Sequence, residues 1–264
     1  MKQTTHVNGY SFSYIESGQG APVVFIHGSL LDYRYWSREV ATFSRHFRAI
    51  AFSRRHHYPV VPPDTFSYTA QAHIDDTIAV IHHLCDEPVH VVGHSYGGYI
   101  ATAVACRAPK LLRTLTLIEP GGPVEGQAAG VSMIDGLSHG AQLVAQGNAA
   151  NGVACFMDTV CGKPKWIDGS YEYQAMTLSN ANTIVEQVRE TRATLLASEL
   201  STIACPVLLM LGSQTQSPFP ETLDQLEMLI PHAQRATIAN ASHLVNIDNH
   251  EACTKALEPF LLNH

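Results

Sequence analysis

The stretch that decides the fold is Val91-Val92-Gly93-His94-Ser95-Tyr96-Gly97-Gly98, a Gly-x-Ser-x-Gly pattern. An apolar strand precedes it and a helix rich in small residues follows it. A serine at such a sharp strand-to-helix turn exposes its hydroxyl, and the two flanking glycines avoid clashes across the turn. The helix N-terminus would direct amides and a partial positive charge at the anion formed when a hydroxyl attacks a carbonyl. The pattern therefore predicts Ser95 as a nucleophile.

Apolar runs alternate with helical patterns on both sides of this stretch, which predicts an α/β fold with a mostly parallel, doubly wound sheet. The predicted strands lie near residues 10–17, 22–26, 47–52, 89–92, 111–118, 207–211 and 235–238. The predicted helices lie near residues 35–43, 68–84, 99–108, 220–229 and 250–262. Residues 121–200 interrupt the alternation with short helical patterns. We therefore expect a core of residues 1–120 and 201–264 with a helical insertion at 121–200.

A histidine follows the last predicted strand in Asn240-Ala241-Ser242-His243, ahead of the final helix. A serine hydroxyl is a poor nucleophile until a base takes its proton. The position of His243 predicts that it is this base. Since the chain has 15 histidines, a surface loop histidine is the alternative interpretation.

A second turn follows the strand near residues 22–26 and reads His27-Gly28-Ser29-Leu30. A backbone amide in this turn can face the oxygen of a substrate carbonyl. We predict an oxyanion hole formed by the backbone amides of Ser29 and Tyr96. His27 is predicted to be a buried structural residue.

Together, His27-Gly28, the turn around Ser95, the insertion and Asn240–His243 resemble the α/β-hydrolase family. The resemblance covers the chain from about residue 27 to the C-terminus. It implies the chain order of oxyanion loop, nucleophile, acid and histidine. It also implies that the helical insertion is the cap, or lid, of the family.

The position of the catalytic acid differs from the commonest arrangement in the family. In that arrangement, an aspartate follows the strand predicted here at 207–211. The turn from Gly212 to Pro218 contains no carboxylate. Glu119, at the end of the strand near 111–118, is predicted instead, and the resemblance implies that relatives similar to haloalkane dehalogenases place their acid there. Its role would be to fix the imidazole tautomer and stabilise the imidazolium. The open alternatives are Glu221, Asp224 and Asp248.

The insertion offers many apolar side chains, and a lid of this kind also lines the substrate cavity. Met133 and Trp166 are predicted wall residues, and little in this region would bind a highly charged substrate. We predict hydrolysis of a small to medium apolar carboxylic ester. The alternatives on the same residues are carbon–carbon bond, lactone or amide hydrolysis, or cyanohydrin cleavage. A non-catalytic small-molecule receptor with this fold is a further alternative.

The composition of the chain limits the kinds of partner that we expect it to bind. The chain has 264 residues and a formal net charge of −7, with no long basic run, which disfavours nucleic acid. No stretch is apolar enough to span a membrane, and Met1–His6 lacks a secretory signal. The six scattered cysteines favour reduced thiols, so we expect a cytoplasmic protein, either a monomer or a homodimer. No nucleotide-binding loop or metal-ligand spacing is present, so neither a cofactor nor a metal is predicted.

Overall fold

A computed structural model describes residues 1–60, 66–127 and 131–264, with the side chains of 131 and 132 excluded. Its centre is an eight-stranded sheet in the order β1-β2-β4-β3-β5-β6-β7-β8. The strands are β1 Lys2–Val7, β2 Tyr10–Ser17, β3 Pro22–Ile26, β4 Arg48–Phe52, β5 Val89–His94, β6 Leu112–Ile118, β7 Val207–Gly212 and β8 Gln234–Ile238.

The six strands from β4 to β8 in this order pair in parallel, whereas the β1–β2 and β2–β4 pairs are antiparallel. Every residue of β3, β5 and β7 is buried, as expected for strands covered by helices on both faces. Val23 and Phe25 pack into the core on one face, whereas Val24 and Ile26 pack into the core on the other. The predicted fold class, a mostly parallel doubly wound α/β sheet, is confirmed.

Helices cover both faces of the sheet. They are α1 Ser37–Phe43, α2 Ala70–Leu84, α3 Tyr96–Arg107, α4 Val131–Ala145, α5 Ala149–Cys161, α6 Tyr171–Ser179, α7 Thr183–Gln187, α8 Ala197–Leu200, α9 Phe219–Leu229, α10 Val245–Asp248 and α11 His250–Leu262. Helices α4 to α8 all lie between β6 and β7 in the chain, in the segment predicted as an insertion. None of the helices in the described part of the chain is long and apolar enough to cross a membrane.

Two of the differences from the sequence predictions have a clear local cause. Strand β1 was not predicted because it is an edge strand with mostly exposed residues, so it lacks an apolar pattern. It pairs with β2 through a turn at Asn8-Gly9, where both residues have positive φ, as tight hairpins require. Helix α2 begins at Ala70 rather than at Tyr68 because the Thr69 side chain accepts a hydrogen bond from the Ala72 amide and caps the helix.

The order of the strands determines where in the sheet a site can form. Strand β3 is flanked by β4 on one side and β5 on the other, so the chain winds in opposite directions from it. Such a reversal leaves a crevice at the carboxyl ends of the two strands. The turns that follow β3, β5, β6, β7 and β8 meet at this same edge of the sheet, which brings distant parts of the sequence together.

Candidate active site

Ser95 occupies the turn between β5 and α3 with φ 53° and ψ −120°, a conformation that residues other than glycine rarely adopt. The turn is possible because the flanking glycines lack side chains. A Cβ on Gly93 would lie 2.5 Å from the Gly97 carbonyl oxygen, and one on Gly97 would lie 2.3 Å from the Ile26 carbonyl oxygen. The Gly-x-Ser-x-Gly spacing therefore has a steric cause in this fold.

Ser95, His243 and Glu119 form one continuous chain of contacts. Ser95 Oγ lies 3.0 Å from His243 Nε2, and His243 Nδ1 lies 2.9 Å from Glu119 Oε2. Since a carboxylate can only accept, Nδ1 carries the proton and Nε2 is free to accept from the serine hydroxyl. The structure thus brings together three side chains predicted from separate parts of the sequence.

Glu119 follows β6 with φ 47° and its side chain is fully buried. Its second oxygen, Oε1, accepts hydrogen bonds from the Gly212 amide, at 2.7 Å, and from the Thr215 hydroxyl. Gly212 ends β7 and Thr215 lies in the turn after it, which lacks a carboxylate of its own. Burial raises the pKa of Glu119 to about 7, although both hydrogen bonds act in the opposite direction.

His243 is buried with 3% of its side chain exposed, and burial lowers its pKa below the ordinary value. Its ring stacks on Phe219 with a centroid distance of 4.0 Å. Its carbonyl oxygen accepts a hydrogen bond from His94 Nε2 at 2.9 Å. The imidazole is therefore held neutral and in one orientation, and His94 packs behind it rather than acting on Ser95.

The other three carboxylates considered for the acid have different partners. Asp248 accepts from the Ser242 amide and hydroxyl and pairs with Lys165. Glu221 accepts from Ser217, and Asp224 pairs with Arg235. Asp248 thereby fixes the loop that carries His243 without touching its ring.

The turn after β3 lies directly against the nucleophile. A Cβ on Gly28 would lie 3.0 Å from Ser95 Cβ and 3.1 Å from His94 Nδ1, so the backbone approaches the serine more closely than a side chain would allow. Ser29 lines the same cavity as Ser95 and Tyr96. The amide of Tyr96 is in the first turn of α3, where helical geometry leaves amides without an intrahelical acceptor.

His27 supports this turn through hydrogen bonds to backbone groups. Its Nδ1 donates to the Gly28 carbonyl at 2.8 Å, and its Nε2 accepts from the Arg54 amide at 3.0 Å. The side chain is fully buried. Both ring nitrogens are thus engaged with backbone groups.

A cavity of about 320 Å³ opens above Ser95 and falls at the low end of the range of small-molecule pockets. Most of its wall is apolar, with side chains from Met133, Ile134, Leu137, Phe156, Val160 and Phe219. Met133, one of the two predicted wall residues, is among them. Trp166 does not line this cavity; it is buried, and its indole N–H donates to Thr177 Oγ1 at 2.8 Å.

Sequence reasoning missed several residues of the site. Thr215 and Phe219 contact the acid and the histidine, and Arg192 lines the cavity. A hydroxyl in the acid-free turn after β7 was a usable signal for Thr215. Arg192 lies in an irregular segment whose sequence has no periodicity to indicate its direction. Among the described residues, no His, Cys, Asp or Glu side chains are grouped as around a metal ion.

Comparison with known proteins identifies the family. The model of the α/β-hydrolase family matches residues 23–256, and this chain therefore belongs to that family. Its similarity to solved structures extends over the whole fold. One example is the carboxylesterase CesB from Bacillus subtilis, which superposes with a TM-score of 0.82 at 19% identity and covers 100% of this chain and 92% of its own.

Two relatives match over nearly the full length. The first is (E)-2-((N-methylformamido)methylene)succinate hydrolase from Acinetobacter baylyi, 24% identical over 96% of this chain and 95% of the relative. The second is 2-(acetamidomethylene)succinate hydrolase from Mesorhizobium japonicum, 23% identical over 93% of this chain and 90% of the relative. Both of these relatives are hydrolases, and a carboxylesterase is among the structural neighbours.

Proposed function

We propose that this chain is a serine hydrolase that cleaves a small to medium apolar carboxylic ester through an acyl-enzyme on Ser95. The observation that carries the proposal is the pair of contacts at 3.0 and 2.9 Å that joins Ser95 to His243 and His243 to Glu119. A neutral imidazole fixed between a hydroxyl and a carboxylate is the arrangement that nucleophilic catalysis by serine needs.

In the first half-reaction, His243 Nε2 takes the proton of Ser95 as its oxygen attacks the ester carbonyl. The Glu119 carboxylate stabilises the imidazolium that forms. The proton on Nε2 then passes to the oxygen of the leaving alcohol as the carbon–oxygen bond breaks. The acyl group remains on Ser95.

In the second half-reaction, water replaces the alcohol. His243 removes a proton from this water, whose oxygen attacks the acyl-enzyme. The proton returns to Ser95 Oγ as the acid product leaves. The lowered pKa of His243 keeps Nε2 available as a base in both halves at neutral pH.

We assign the oxyanion hole to the backbone amides of Ser29 and Tyr96. The close approach of the Gly28 backbone to Ser95 and the position of Tyr96 in the first turn of α3 support this assignment. One such donor typically contributes about 10²–10³-fold to kcat.

The apolar wall and the volume of the cavity support the substrate class. We propose that residues 121–200 form a helical cap over the core of residues 1–120 and 201–264. Side chains from α4 and α5, including Leu137 and Phe156, line the cavity and support this division. Because such a lid would exclude water, it would strengthen the electrostatic interactions around Ser95.

Kinetics with p-nitrophenyl acetate, butyrate and octanoate test the proposal. Ser95→Ala and His243→Ala should each lower kcat by at least about 10⁴-fold, whereas the exposed Ser198→Ala should retain wild-type rates. Octanoate should be the poorest substrate because the cavity is small. Wild-type turnover by Ser95→Ala would refute the proposal, and absence of turnover with ligand binding retained would favour a receptor.

Amide hydrolysis is the second candidate, because the names of both full-length relatives describe N-acyl substrates. p-Nitrophenyl acetate and p-nitroacetanilide differ only in the atom that leaves the carbonyl carbon, which is oxygen in the ester and nitrogen in the anilide. We expect the ester to react faster. A higher kcat/KM for the anilide would make amide hydrolysis the first candidate and ester hydrolysis the second.

The remaining expectations stand as proposals. We propose a cytoplasmic monomer or homodimer that acts on a small molecule without nucleic acid. Size-exclusion chromatography with light scattering measures the oligomeric state.

A further inference from the structure

The cavity above Ser95 has one charged side chain among the described residues that line it, Arg192. Its Nε donates to Glu190 Oε1 at 2.9 Å, and its guanidinium lies over the Tyr96 ring, 4.0 Å from the centroid. These contacts fix the side chain but use only one of its nitrogens. In the described part of the chain, its two terminal nitrogens have no protein acceptor, so their donors remain available to a ligand of the cavity that Arg192 lines.

Glu190 does not neutralise this end of the cavity completely. Its Oε1 binds Arg192 and its Oε2 accepts from the Tyr96 hydroxyl at 2.8 Å. A second guanidinium, that of Arg54, lies over the same ring at 4.7 Å. Two positive groups and one carboxylate thus surround Tyr96.

Arg54 is almost fully buried and forms no ion pair with any carboxylate within residues 1–60, 66–127 and 131–264. It donates to the carbonyl oxygens of His27 and Gly28, and its Nη1 has no hydrogen-bond partner. A buried charge without a counter-ion is costly, and a nearby anion lowers that cost. The local balance of +1 therefore favours an anion in this part of the cavity.

Gln187 adds a neutral group at the same end. It lines the cavity, and its Oε1 accepts from the Tyr68 hydroxyl at 3.4 Å, which orients the amide nitrogen away from that contact. Two Arg192 nitrogens and one amide nitrogen can donate to the oxygens of a carboxylate. The rest of the wall is apolar.

We propose that Arg192, assisted by Gln187, binds a free carboxylate on the substrate of Ser95. The preferred substrates are then esters of short acids that carry one carboxylate away from the scissile bond, such as monoesters of a short dicarboxylic acid. This inference rests on the proposed hydrolase function, and it changes the preferred substrate from a wholly apolar ester to an ester with one carboxylate.

The kinetic test compares the p-nitrophenyl monoester of glutaric acid with p-nitrophenyl pentanoate, which differs by a methyl group in place of the carboxylate. The wild type should prefer the glutarate ester in kcat/KM. Arg192→Gln should lower this preference about 10- to 100-fold, the usual effect of losing hydrogen bonds to a charged group. Arg189→Gln, an exposed arginine three residues away, should leave the preference unchanged.

Glu190→Gln separates this role from a structural one. It keeps a side chain of similar shape but removes the charge opposite Arg192, so the preference for the glutarate ester should increase. If the Arg192–Glu190 pair only supports the fold, both substitutions lower the rates with both esters alike. An equal loss of rate with the two esters in Arg192→Gln would overturn the proposal.

A binding measurement keeps the outcome independent of catalysis. Titration calorimetry on Ser95→Ala with glutaramate and with glutaramide compares one carboxylate with its neutral isostere. Glutaramate should bind more tightly, and adding Arg192→Gln should remove the difference. This result with no ester turnover would support the anion site while the hydrolase function fails. Ester turnover with equal binding of the two ligands would overturn the anion site alone.

Discussion

Glu119→Gln tests the assignment of the acid with a change of one group. In the structure, Oε1 of Glu119 faces the Gly212 amide, which can only donate. The oxygen of a glutamine must therefore keep this position, and its NH₂ group must face His243 Nδ1. Nδ1 then accepts rather than donates, and the imidazole proton moves to Nε2. In that tautomer His243 donates to Ser95 and cannot take its proton.

The size of the loss follows from this tautomer change. A wrong tautomer at an otherwise intact serine–histidine pair lowers kcat by about 10⁴-fold, or about 5 kcal/mol of transition-state free energy. The loss should appear in kcat for p-nitrophenyl butyrate, with KM little changed, because Glu119 is buried and does not line the cavity. Glu221→Gln, which removes an exposed carboxylate bound to Ser217, should behave as wild type.

A stability measurement separates this effect from misfolding. The pKa of Glu119 is raised from 4.5 to about 7, so its ionisation costs free energy of folding that grows as pH rises through this range. Above that range the cost is complete, and an uncharged glutamine avoids it. Glu119→Gln should therefore unfold at pH 8 at the same temperature as wild type or higher. Rates within tenfold of wild type in a folded variant would refute the role of Glu119.

Three further predictions concern the pH response, the oxyanion turn and the cavity. kcat/KM should fall as pH decreases through about 7, because the Glu119–His243 pair takes up a proton there. Thr215→Val removes a hydrogen bond that lowers the pKa of Glu119, so this fall in kcat/KM should occur at higher pH in the variant. Gly28→Ala should lower kcat about 10²-fold or more with folding retained, since its methyl group would meet Ser95 at 3.0 Å and displace the turn that carries the oxyanion amide. Met133→Ala should increase the octanoate-to-acetate ratio of kcat/KM because it enlarges the cavity.

Each of these has a contradicting outcome. If kcat/KM falls at the same pH in Thr215→Val as in the wild type, the ionisation of Glu119 does not control the rate. Wild-type kcat in Gly28→Ala would place the oxyanion site away from this turn. An unchanged chain-length ratio in Met133→Ala would place the acyl group elsewhere in the cavity.

The fold was predictable because its signals are local. Buried parallel strands appear as short apolar runs, and the sharp turn at Ser95 requires glycines at fixed positions. The edge strand β1 gave no such signal, because only Thr5 of its six residues is buried. The alternation of strands and helices ends near residue 121 in the sequence, and α4 to α8 follow between β6 and β7.

The site was predictable only where the fold fixes a residue by its strand end. Ser95 and Glu119 directly follow the buried strands β5 and β6, and His243 lies in the loop after β8, so the parallel sheet brings all three to one edge. Arg192 and Gln187 lie in the segment between β6 and β7, whose packing depends on contacts that no local pattern encodes. Trp166 illustrates the same limit, since an apolar side chain there can face the cavity or, as here, the interior of the helical segment.

The meeting of Ser95 with His243 can be measured most directly with a fluorophosphonate, followed by proteolysis and mass spectrometry of the labelled peptide. The adduct should be on Ser95 alone, should be lost in Ser95→Ala, and should form at least about 10³-fold more slowly in His243→Ala. An adduct on another residue, or labelling of Ser95 at an unchanged rate without His243, would contradict the account.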